Sequence, residues 1–472
     1  MINRIKHIVI LAMTIITTAL TACIEDGVTT NPSHQPTFST DTLHMGLVFT
    51  ETGTPTHSFT VYNRHDKVLN ISDISLRNGG TGIFRLNVDG FMGKRFSNVE
   101  IRPNDSIFVF VEATLPPNGQ NLPVTIEELL DFTTNGKTST IVLSADGQDV
   151  DRRRGEIITT SAKWSANKPY QIFDSLVVAQ GATLTIEPGA TLYFHDNATL
   201  KVRGTLVCNG QPDAFINLTG DRTDNVVSDI PFDLMSGQWN GVIFESTSRN
   251  NYLSHTSIRN TVAGIVVDSI SETSSPAVTF VNCILRNSMD AALTAIHSNV
   301  LAVGCEIADA ANGIVRLRGG NSTFNHCTFA NYYLFAAPGD AIISLSHLNS
   351  ESDDNSGLPY TAANFTNSII YGNGSDISHG DLTGTEVYLK SCLLKSAGSD
   401  DDNFITCLWD SDPLYYTVRN EYIFDYRLKN ESPAIAAANP ALTLPEAAYD
   451  AYGLARGASP DLGAFVYVPA EE

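Results

Sequence analysis

The feature that most constrains the fold is a column of residues that recurs in one register through the second half of the chain. Its members are Thr256, Cys283, Cys305, Cys327, Ser368 and Cys392, separated by 27, 22, 22, 41 and 24 residues. An apolar residue stands two positions after each member, and a large apolar residue stands three positions before each member except Cys305. A fixed period of this length predicts stacked units of one kind, in which equal residues lie above one another.

The same periodicity begins earlier in the chain with a shorter unit. Apolar pairs recur every eight residues, at Leu176/Val178, Leu184/Ile186, Leu192/Phe194 and Leu200/Val202. Each pair suits a short strand, and turn residues separate the pairs. Three such faces make a coil of about 24 residues, which predicts a solenoid of short parallel strands.

Short polar residues follow the column by four positions. They are Asn260, Asn287, Asp309 and Asn331. Asn and Asp side chains bond their own backbone and tolerate tight corners. Since neighbouring coils lie about 4.8 Å apart, we expect apolar ladders inside and a polar ladder at the corner.

Three segments resemble those of secreted bacterial proteins of the right-handed parallel β-helix superfamily, the pectate-lyase-like proteins. They are Leu184–Gly189, Leu200–Leu206 and Trp239–Phe244. The resemblance covers Ser161 to Tyr467 and implies a β-helix over 161–430. The ending, with Asp425–Lys429 and Ser459–Ala464, resembles a terminal segment of those proteins. It implies a capping segment over 431–472 that closes the last coil, because an open end would expose strand edges.

The N-terminus has the pattern of an export signal over residues 1–22. Arg4 and Lys6 precede an apolar run that is too short to span a bilayer. The run ends in Leu-Thr-Ala-Cys23, which resembles the lipobox of bacterial lipoproteins and implies acylation of Cys23. The alternative is an ordinary secretory signal with a chance Cys. We expect a lipid anchor in the outer membrane, a polar tether over 23–40 and exposure at the cell surface.

Residues 41–148 alternate apolar and polar over short runs separated by turns, which predicts an antiparallel β-sandwich. The segments Met45–Phe49 and Ser58–Asn63 resemble Ig-like modules of bacterial surface proteins. Asn135-Gly136 between two apolar runs predicts a hairpin turn. The charged stretch after this unit predicts a solvated linker over 149–160. The sequence thus predicts an all-β chain: an Ig-like sandwich, then a right-handed parallel β-helix.

The cysteines favour packing over metal binding. Cys283, Cys305 and Cys327 follow at intervals of 22 residues, as expected for buried thiols of an interior ladder. Disulfides between neighbouring coils are the alternative. No Cys-x-x-Cys occurs in the sequence, so a zinc site is not indicated. The disulfide state of Cys208, Cys392 and Cys407 stays open.

Charge excludes one class of partner. The chain has 29 Lys and Arg against 51 Asp and Glu, a formal net charge of −22. Binding to nucleic acid depends on clustered Lys and Arg that displace counterions from phosphates. We therefore expect no nucleic-acid partner.

Few residues on the recurring strand suit chemistry. We expect Arg259 and Arg286 to point outward one above the other, where they could meet an anionic sugar. Glu306 is the single carboxylate among the outward positions, so no calcium cluster forms on that face. The acidic runs Asp353-Asp354 and Asp400–Asp402 indicate solvated loops, with loose Ca²⁺ binding as the alternative. We assign no catalytic residue and no cofactor.

These observations favour a non-catalytic surface lipoprotein whose β-helix is displayed for binding a glycan or another cell. An insertion near Tyr332 to Ala362 adds Tyr332, Tyr333, His347 and Tyr360, which either stack on sugar rings or cover the flank. The resemblance implies the alternative, a polysaccharide lyase or glycoside hydrolase acting on acidic polysaccharide. A stalk without a specific ligand is the third reading.

Overall fold

A computed structural model of the chain describes residues 27–227, 230–269, 275–349 and 357–470. The predicted signal peptide, Cys23 and the Asp353-Asp354 run lie outside the described residues. The chain divides into two compact units, the first ending at Gln148 and the second beginning at Asp149.

The first unit consists of two β-sheets. Its described strands are β1 Thr37–Phe38, β2 Thr42–Phe49, β3 His57–Tyr62, β4 Leu69–Leu76, β5 Phe84–Val88, β6 Phe91–Gly93, β7 Arg95–Phe96, β8 Val99–Ile101, β9 Ser106–Ala113, β10 Val124–Thr134 and β11 Lys137–Gln148. One sheet has the order β1-β3-β9-β5-β6, and the other has the order β2-β11-β10-β4-β7 with β8 also paired to β4. Neighbours are antiparallel apart from β2 and β11, which are parallel.

Buried and exposed side chains alternate along the strands of this unit, and the buried ones form its core. Along β9, Ile107, Val109 and Val111 are buried, whereas Phe108 and Phe110 between them are exposed. The buried residues of both sheets form one apolar cluster. The hairpin between β10 and β11 turns at Asn135-Gly136, whose φ angles of 49° and 78° confirm the predicted turn. The kinship of this unit with Ig-like modules stays a prediction.

The second unit is a parallel β-helix. Its described strands are β12 Asp151–Ile158, β13 Ala162–Trp164, β14 Tyr170–Val178, β15 Thr183–Ile186, β16 Thr191–Phe194, β17 Thr199–Val202, β18 Thr205–Asn209, β19 Ile216–Gly220, β20 Asn225–Val227, β21 Ile230–Pro231, β22 Gly241–Phe244, β23 Asn251–Ser254, β24 Thr256–Thr261, β25 Ile265–Val267, β26 Val278–Val281, β27 Ile284–Ser288, β28 Leu293–Ile296, β29 Val300–Val303, β30 Glu306–Ala310, β31 Val315–Arg318, β32 Gly320–Asn325, β33 Thr328–Asn331, β34 Ile343–Ser346, β35 Thr361–Thr366, β36 Ile369–Gly372, β37 Ile377–Ser378, β38 Val387–Lys390, β39 Leu393–Leu394 and β40 Phe404–Ile405. Short 3-10 helices lie at Arg77–Gly79, Phe232–Leu234, Arg419–Glu421, Pro440–Leu442 and Pro445–Ala447.

Each coil contributes one strand to each of three faces. Face 1 stacks β13, β15, β18, β23, β26, β29, β32, β35, β38 and β40. Face 2 stacks β16, β19, β24, β27, β30, β33, β36 and β39, and face 3 stacks β17, β22, β25, β28, β31, β34 and β37. The long strands β12 and β14 run through both face 2 and face 3. The strands of these three faces pair in parallel, as expected for a solenoid of short strands.

The interior ladder confirms the predicted register. On face 2, Ile258, Leu285, Ile307, Phe329, Ile370 and Leu394 pair in succession. Cys283, Cys305 and Cys327 are fully buried on successive coils, and the backbone N–H of Cys283 donates to the sulfur of Cys305 at 3.4 Å. These three thiols are free. Like side chains therefore stack along the core, as the intervals of 22 residues predicted.

Residues with a left-handed backbone conformation form the corners of the coils. Each residue immediately before the column has positive φ: His255 43°, Asn282 54°, Gly304 65°, His326 50°, Asn367 51° and Ser391 51°. Of the polar corner column, Asn260, Asn287 and Asp309 also have positive φ, between 53° and 68°. Asn and Asp tolerate this conformation better than other residues with a Cβ. The predicted polar corner is confirmed at these three positions.

The predicted linker over 149–160 is a strand instead. The residues of β12 pair in parallel with β14 from Asp151 to Ile158, so the β-helix begins about ten residues before the predicted Ser161. The arginines suggested a solvated connection, but they lie on the outside of the first coil. There Arg154 lies 4.6 Å from the ring centre of Phe173. Long cationic side chains cover an outer strand surface and leave their charge in water.

We expect Gly204→Ala to destabilise the β-helix by about 3 kcal/mol, because overpacking a closed site carries a cost of this order. A Cβ at Gly204 would lie 2.2 Å from the carbonyl oxygen of Ala182 and 2.3 Å from that of Ala179. Both atoms are backbone and cannot swing away. Urea unfolding followed by circular dichroism measures the loss. Gly457→Ala is the matched control, since a Cβ there meets nothing within 4 Å. Equal midpoints for the two variants would contradict this expectation.

Candidate functional site

The C-terminal segment, residues 411–470, lies along the outside of face 2. The N–H of Gly463 donates to the carbonyl oxygen of Asn367 at 2.9 Å, and that of Ala464 donates to Thr328 Oγ1 at 2.9 Å. These contacts lie on coils that precede the last one. The prediction that 431–472 closes the last coil is therefore wrong, since the segment turns back and covers the flank.

Small residues of face 2 make room for this segment. The buried cluster between them contains Ala308, Ala330, Ile369 and Leu393 from face 2, with Tyr415, Tyr426, Leu428, Ala434, Ala438, Ala451, Leu462, Ala464 and Phe465 from the segment. Alanines on the outside of a strand let a second layer of chain approach the sheet closely. The segment thereby has an apolar core of its own with the β-helix.

A buried tyrosine anchors the segment. Tyr426 is 1% exposed, and its hydroxyl donates to the Asp309 carboxylate at 2.6 Å. Burial raises the pKa of Asp309, and the hydrogen bond from Tyr426 opposes that rise. The ring of Tyr332 lies 5.9 Å from that of Tyr426. A polar contact and an aromatic contact thus fix the segment at one point of face 2.

The two predicted arginines stack as expected, since Arg259 and Arg286 pair between β24 and β27. Arg259 Nη1 donates to Asp233 Oδ2 at 2.8 Å. Arg286 Nη1 donates to the carbonyl oxygen of Phe424 at 3.4 Å and lies 3.5 Å from Glu306 Oε1. Both guanidinium groups have partners within the protein, and ligand binding by the pair stays a prediction.

Glu306 is the carboxyl group buried beneath the segment. Its exposed fraction is 5%, and burial raises its pKa to about 7, although the positive charge of Arg286 opposes this. Among the described residues, Glu306 Oε1 accepts no hydrogen bond. The group therefore changes its charge near neutral pH without facing open solvent.

A pocket of about 330 Å³ opens within the C-terminal segment. Its walls are Tyr416, Asp425, Arg427, Leu428, Asp450, Tyr452, Leu454, Val466 and Val468. Arg286 donates to the carbonyl oxygen of Phe424, the residue before Asp425, so the pair of Arg286 and Glu306 lies close to this pocket. The pocket combines aromatic rings, aliphatic side chains and a few charged groups, as ligand sites usually do.

Both carboxylates of the pocket already accept hydrogen bonds. Arg427 Nε donates to Asp425 Oδ1 at 2.9 Å, and Arg427 Nη2 donates to Asp425 Oδ2 at 2.5 Å. Burial would raise the pKa of Asp425, but the hydrogen bonds from Arg427 lower it. Asp450 accepts from the backbone N–H groups of Tyr452 and Leu454 at 2.9 Å and of Val466 at 3.0 Å. Both acids thus have hydrogen-bond donors within the segment itself.

Two tyrosine rings line the pocket. Tyr452 is 52% exposed, and its ring stacks on Phe465 with 5.5 Å between centres and 21° between planes. Lys429 Nζ lies 5.8 Å from the ring centre of Tyr416. The backing by Phe465 holds the Tyr452 ring in one orientation with its other side available.

The aromatic residues of the insertion divide into two groups. Tyr333 is 7% exposed, and its hydroxyl bonds Ser236 Oγ at 2.5 Å. Tyr332 packs against Tyr415 and Tyr426 as described, so this first group covers the flank. In contrast, Tyr360 is 51% exposed and stacks on His347 at 4.7 Å.

The acidic run Asp400–Asp402 orders a loop. The Asp400 carboxylate accepts hydrogen bonds from Thr406 N at 2.7 Å, Cys407 N at 3.1 Å and Trp409 Nε1 at 3.1 Å. Within the described part of the chain, no three His, Cys, Asp or Glu side chains are grouped to hold a metal ion. Loose Ca²⁺ binding by this run stays untested.

Sequence reasoning missed the pocket. It singled out Asp425–Lys429 as part of a terminal motif but expected that motif at the end of the coil stack. The available signal was the density of Tyr, Asp and Arg between Tyr415 and Tyr452, which is unusual for a simple end cap. The described residues contain no helix long and apolar enough to cross a lipid bilayer.

The chain has a partial sequence match to a known protein. No family model matches the chain. Protein bark beetle of Drosophila melanogaster is 32% identical over 126 residues, which are 26% of this chain and 4% of that protein. The chain thus spans a very small part of this relative, and the match does not assign a family.

Two solved structures are similar over part of the chain at 10% identity. One is the catalytic unit of a thermostable GH87 alpha-1,3-glucanase from Streptomyces thermodiastaticus, with a TM-score of 0.28 over 74% of this chain and 72% of that one. The other is a family 123 glycoside hydrolase from Clostridium perfringens, with a TM-score of 0.17 over 24% of this chain and 25% of that one. At such scores neither likeness carries an argument, so the parallel β-helix rests on the strand pairing alone.

Proposed function

We propose that this chain is a non-catalytic carbohydrate-binding protein and that the pocket of the C-terminal segment holds a sugar residue. The observation that carries the proposal is the composition of the pocket wall. Tyr416 and Tyr452 present aromatic rings beside the Asp425–Arg427 ion pair around a volume of about 330 Å³.

This combination suits the two sides of a pyranose ring. The C–H groups of a sugar pack on the face of an aromatic ring, and Tyr452 has one face backed by Phe465 and a largely exposed side chain. The hydroxyl groups need planar donors and acceptors held in fixed geometry. The paired Asp425 and Arg427 supply both, because a bidentate ion pair keeps its remaining lone pairs and N–H groups oriented.

The charges favour a neutral sugar over a uronate. The pocket wall has two carboxylates, Asp425 and Asp450, against the single guanidinium of Arg427. The chain as a whole has a formal net charge of −22, which repels acidic polysaccharide at long range. The proposed ligand is therefore a neutral glycan.

We expect binding without turnover because the acidic side chains at the pocket already have partners within the protein. A glycosidase needs one carboxyl group that donates a proton and a second carboxylate on the other side of the scissile bond. Asp425 and Asp450 already accept hydrogen bonds from N–H groups of the segment, and Glu306 is buried. The export signal, the acylation of Cys23 and a place at the outer-membrane surface belong to the proposal, and they rest on the N-terminal sequence alone.

Glycoside hydrolysis is the second candidate, and one observation favours it. The pKa of Glu306 is raised to about 7, whereas that of nearby Asp425 is lowered. Two carboxyl groups whose pKa values are pushed apart are the usual arrangement of an acid and a base. This candidate requires the C-terminal segment to move so that Glu306 meets the substrate.

We expect Tyr452→Ala to weaken binding of a neutral oligosaccharide at least about tenfold, because loss of the stacking face removes roughly 1.4 kcal/mol of binding free energy. Calorimetric titration with neutral and uronate-containing oligosaccharides measures this. Tyr449→Ala is the matched control, since Tyr449 is 58% exposed in the same segment and does not line the pocket.

Equal affinity of the two tyrosine variants, or saturable binding of uronates alone, would contradict the proposal. The same mixtures are analysed by mass spectrometry after prolonged incubation. Shortened oligosaccharides that disappear in Glu306→Gln would favour hydrolysis instead.

A further inference from the structure

Cys407 continues the interior column beyond Cys392. Leu393 and Leu408 pair in parallel, and the N–H of Leu408 donates to the carbonyl oxygen of Cys392 at 2.8 Å. Cys407 therefore lies next to Cys392 on the following rung. The two thiols also bond alike: Cys392 Sγ donates to the carbonyl oxygen of Phe365 at 3.3 Å, and Cys407 Sγ donates to that of Leu389 at 3.4 Å, each one rung earlier.

The spacing of the rungs suits a disulfide. Neighbouring parallel strands lie about 4.8 Å apart, and disulfides form between Cα atoms about 4.4 to 6.8 Å apart. Both side chains point to the same side, because Cys392 belongs to the main core and Cys407 packs against it. The two sulfurs therefore lie on the same side of adjacent rungs.

Access distinguishes this pair from the other thiols of the column. Cys283, Cys305 and Cys327 are fully buried on rungs that have a neighbour on each side. Cys407 is partly exposed, and it follows β40, the last strand of face 1 in the described residues. An oxidant thus reaches Cys407 without unwinding the coils.

We propose that Cys392 and Cys407 are a disulfide site that staples the last rung of the β-helix. The Cys407 thiolate attacks the disulfide of an oxidant of the thiol–disulfide class, which gives a mixed disulfide and releases one oxidant thiol. The Cys392 sulfur then attacks the Cys407 sulfur and releases the second oxidant thiol. The protein loses two electrons and two protons, and the oxidant disulfide becomes two thiols.

The bond has a structural use at this position. The final rung of a solenoid has an unpaired edge, which frays and invites association with other strands. A covalent link between the last two rungs holds that edge closed. The site lies outside the sugar pocket, so it stands whether or not the chain binds carbohydrate.

The test uses the full chain, oxidised with glutathione disulfide and alkylated before digestion. Trypsin releases Cys392 in the peptide Ser391–Lys395 and Cys407 in the peptide Ser396–Arg419. We expect these two peptides to appear as one linked species that separates after reduction. We also expect a higher melting temperature for the oxidised chain than for the reduced chain.

Variants make the result specific. Cys407→Ser should abolish the linked species and the gain in melting temperature, whereas Cys305→Ser should leave both unchanged. Cys407 is partly exposed, so its Ser variant keeps the test valid even where Cys392→Ser does not fold. A glutathione adduct on Cys407 without the linked species, or full alkylation of both cysteines in folded oxidised protein, would overturn the proposal.

Discussion

We expect Tyr426→Ala to release the C-terminal segment from face 2 at a cost of about 3–5 kcal/mol, the usual range for deletion of a large buried aromatic side chain. Tyr426 is 1% exposed, and its hydroxyl is the hydrogen-bond donor to the buried Asp309 carboxylate. The substitution removes the ring from the cluster under the segment and leaves Asp309 Oδ1 with the hydrogen bond from the Tyr332 N–H at 2.9 Å. The coils themselves lose no strand pairing, so the damage stays local.

Hydrogen exchange and limited proteolysis measure this release. We expect faster exchange and new cleavage within residues 411–470 of the variant, with unchanged protection of the coils. Tyr426→Phe keeps the ring and removes one of the two hydrogen bonds to Asp309 Oδ1, since the Tyr332 N–H still donates to that oxygen at 2.9 Å. We expect this variant to lose about 1–3 kcal/mol, the usual contribution of a hydrogen bond to a charged group. Tyr422→Ala is the control, because Tyr422 is 39% exposed in the same segment. Unchanged protection of the segment in Tyr426→Ala would show that Tyr426 is not its anchor.

The release also bears on the proposed function. Every residue that lines the sugar pocket lies between Tyr416 and Val468, so the pocket exists only while the segment is folded on face 2. A local unfolding of the segment removes the pocket without melting the β-helix. Ligand binding should therefore stabilise the segment in the same exchange experiment, by mass action.

The β-helix could be predicted from the sequence because its contacts repeat. Two residues 22 positions apart, such as Cys283 and Cys305, occupy the same place on successive coils, so one column of the sequence reports one line of the core. The same logic identified the corner residues Asn260 and Asn287. A repeat converts long-range packing into a short-range sequence pattern.

The sequence did not predict the first coil, because its strand β12 is rich in charged residues and lacks the apolar repeat of the later coils. Arg152, Arg153 and Arg154 lie in a paired strand whose side chains are mostly outside the core. A run of charge usually indicates a solvated connection. Here Asp151 accepts a hydrogen bond from Arg153 at 2.7 Å, and the ring of Trp164 lies 5.9 Å from the Arg153 guanidinium.

The sequence did not predict the candidate site for a different reason. The contact between Ala464 and Thr328 joins residues 136 positions apart, and no period connects them. Ala308 and Ala330 lie under this second layer of chain, and no feature of the repeat distinguishes them from other outward positions. Such single contacts appear only when the fold is known.

We expect a pH-dependent loss of stability that His326 controls. His326 is fully buried, and its Nε2 lies 2.9 Å from Thr443 Oγ1 and 3.1 Å from Asn367 Nδ2. Burial, with a smaller contribution from the positive charge of Arg456, lowers the pKa of His326 to about 3. Near pH 6.5 the histidine of the unfolded chain takes up a proton, whereas His326 of the folded protein stays neutral.

The direction of the effect follows from this difference. Below pH 6.5, the ordinary pKa of histidine, the unfolded chain takes up a proton that the folded protein excludes. Stability therefore falls as the pH drops from 6.5 toward 3. Between pH 6.5 and 4.5 the loss from this group reaches about 2.3 kcal/mol, because the slope of about 1.36 kcal/mol per pH unit is reached only well below the unfolded pKa. Glu306 acts in the opposite direction over pH 7 to 4.5, because its pKa is raised.

His326→Asn isolates the histidine from these other groups. Other coils have Asn282 and Asn367 at this position in the same left-handed conformation, so Asn suits the φ of 50° at His326. Urea unfolding at pH 7.5, 6.5, 5.5 and 4.5 gives the slope for each protein, and the contribution of Glu306 cancels between them. We expect the wild type to lose about 2.3 kcal/mol more than the variant between pH 6.5 and 4.5. His255→Asn should change the slope less, since His255 is only half-buried. Parallel slopes for wild type and His326→Asn would mean that the buried imidazole takes up its proton without unfolding, and that the segment around Thr443 yields to admit it.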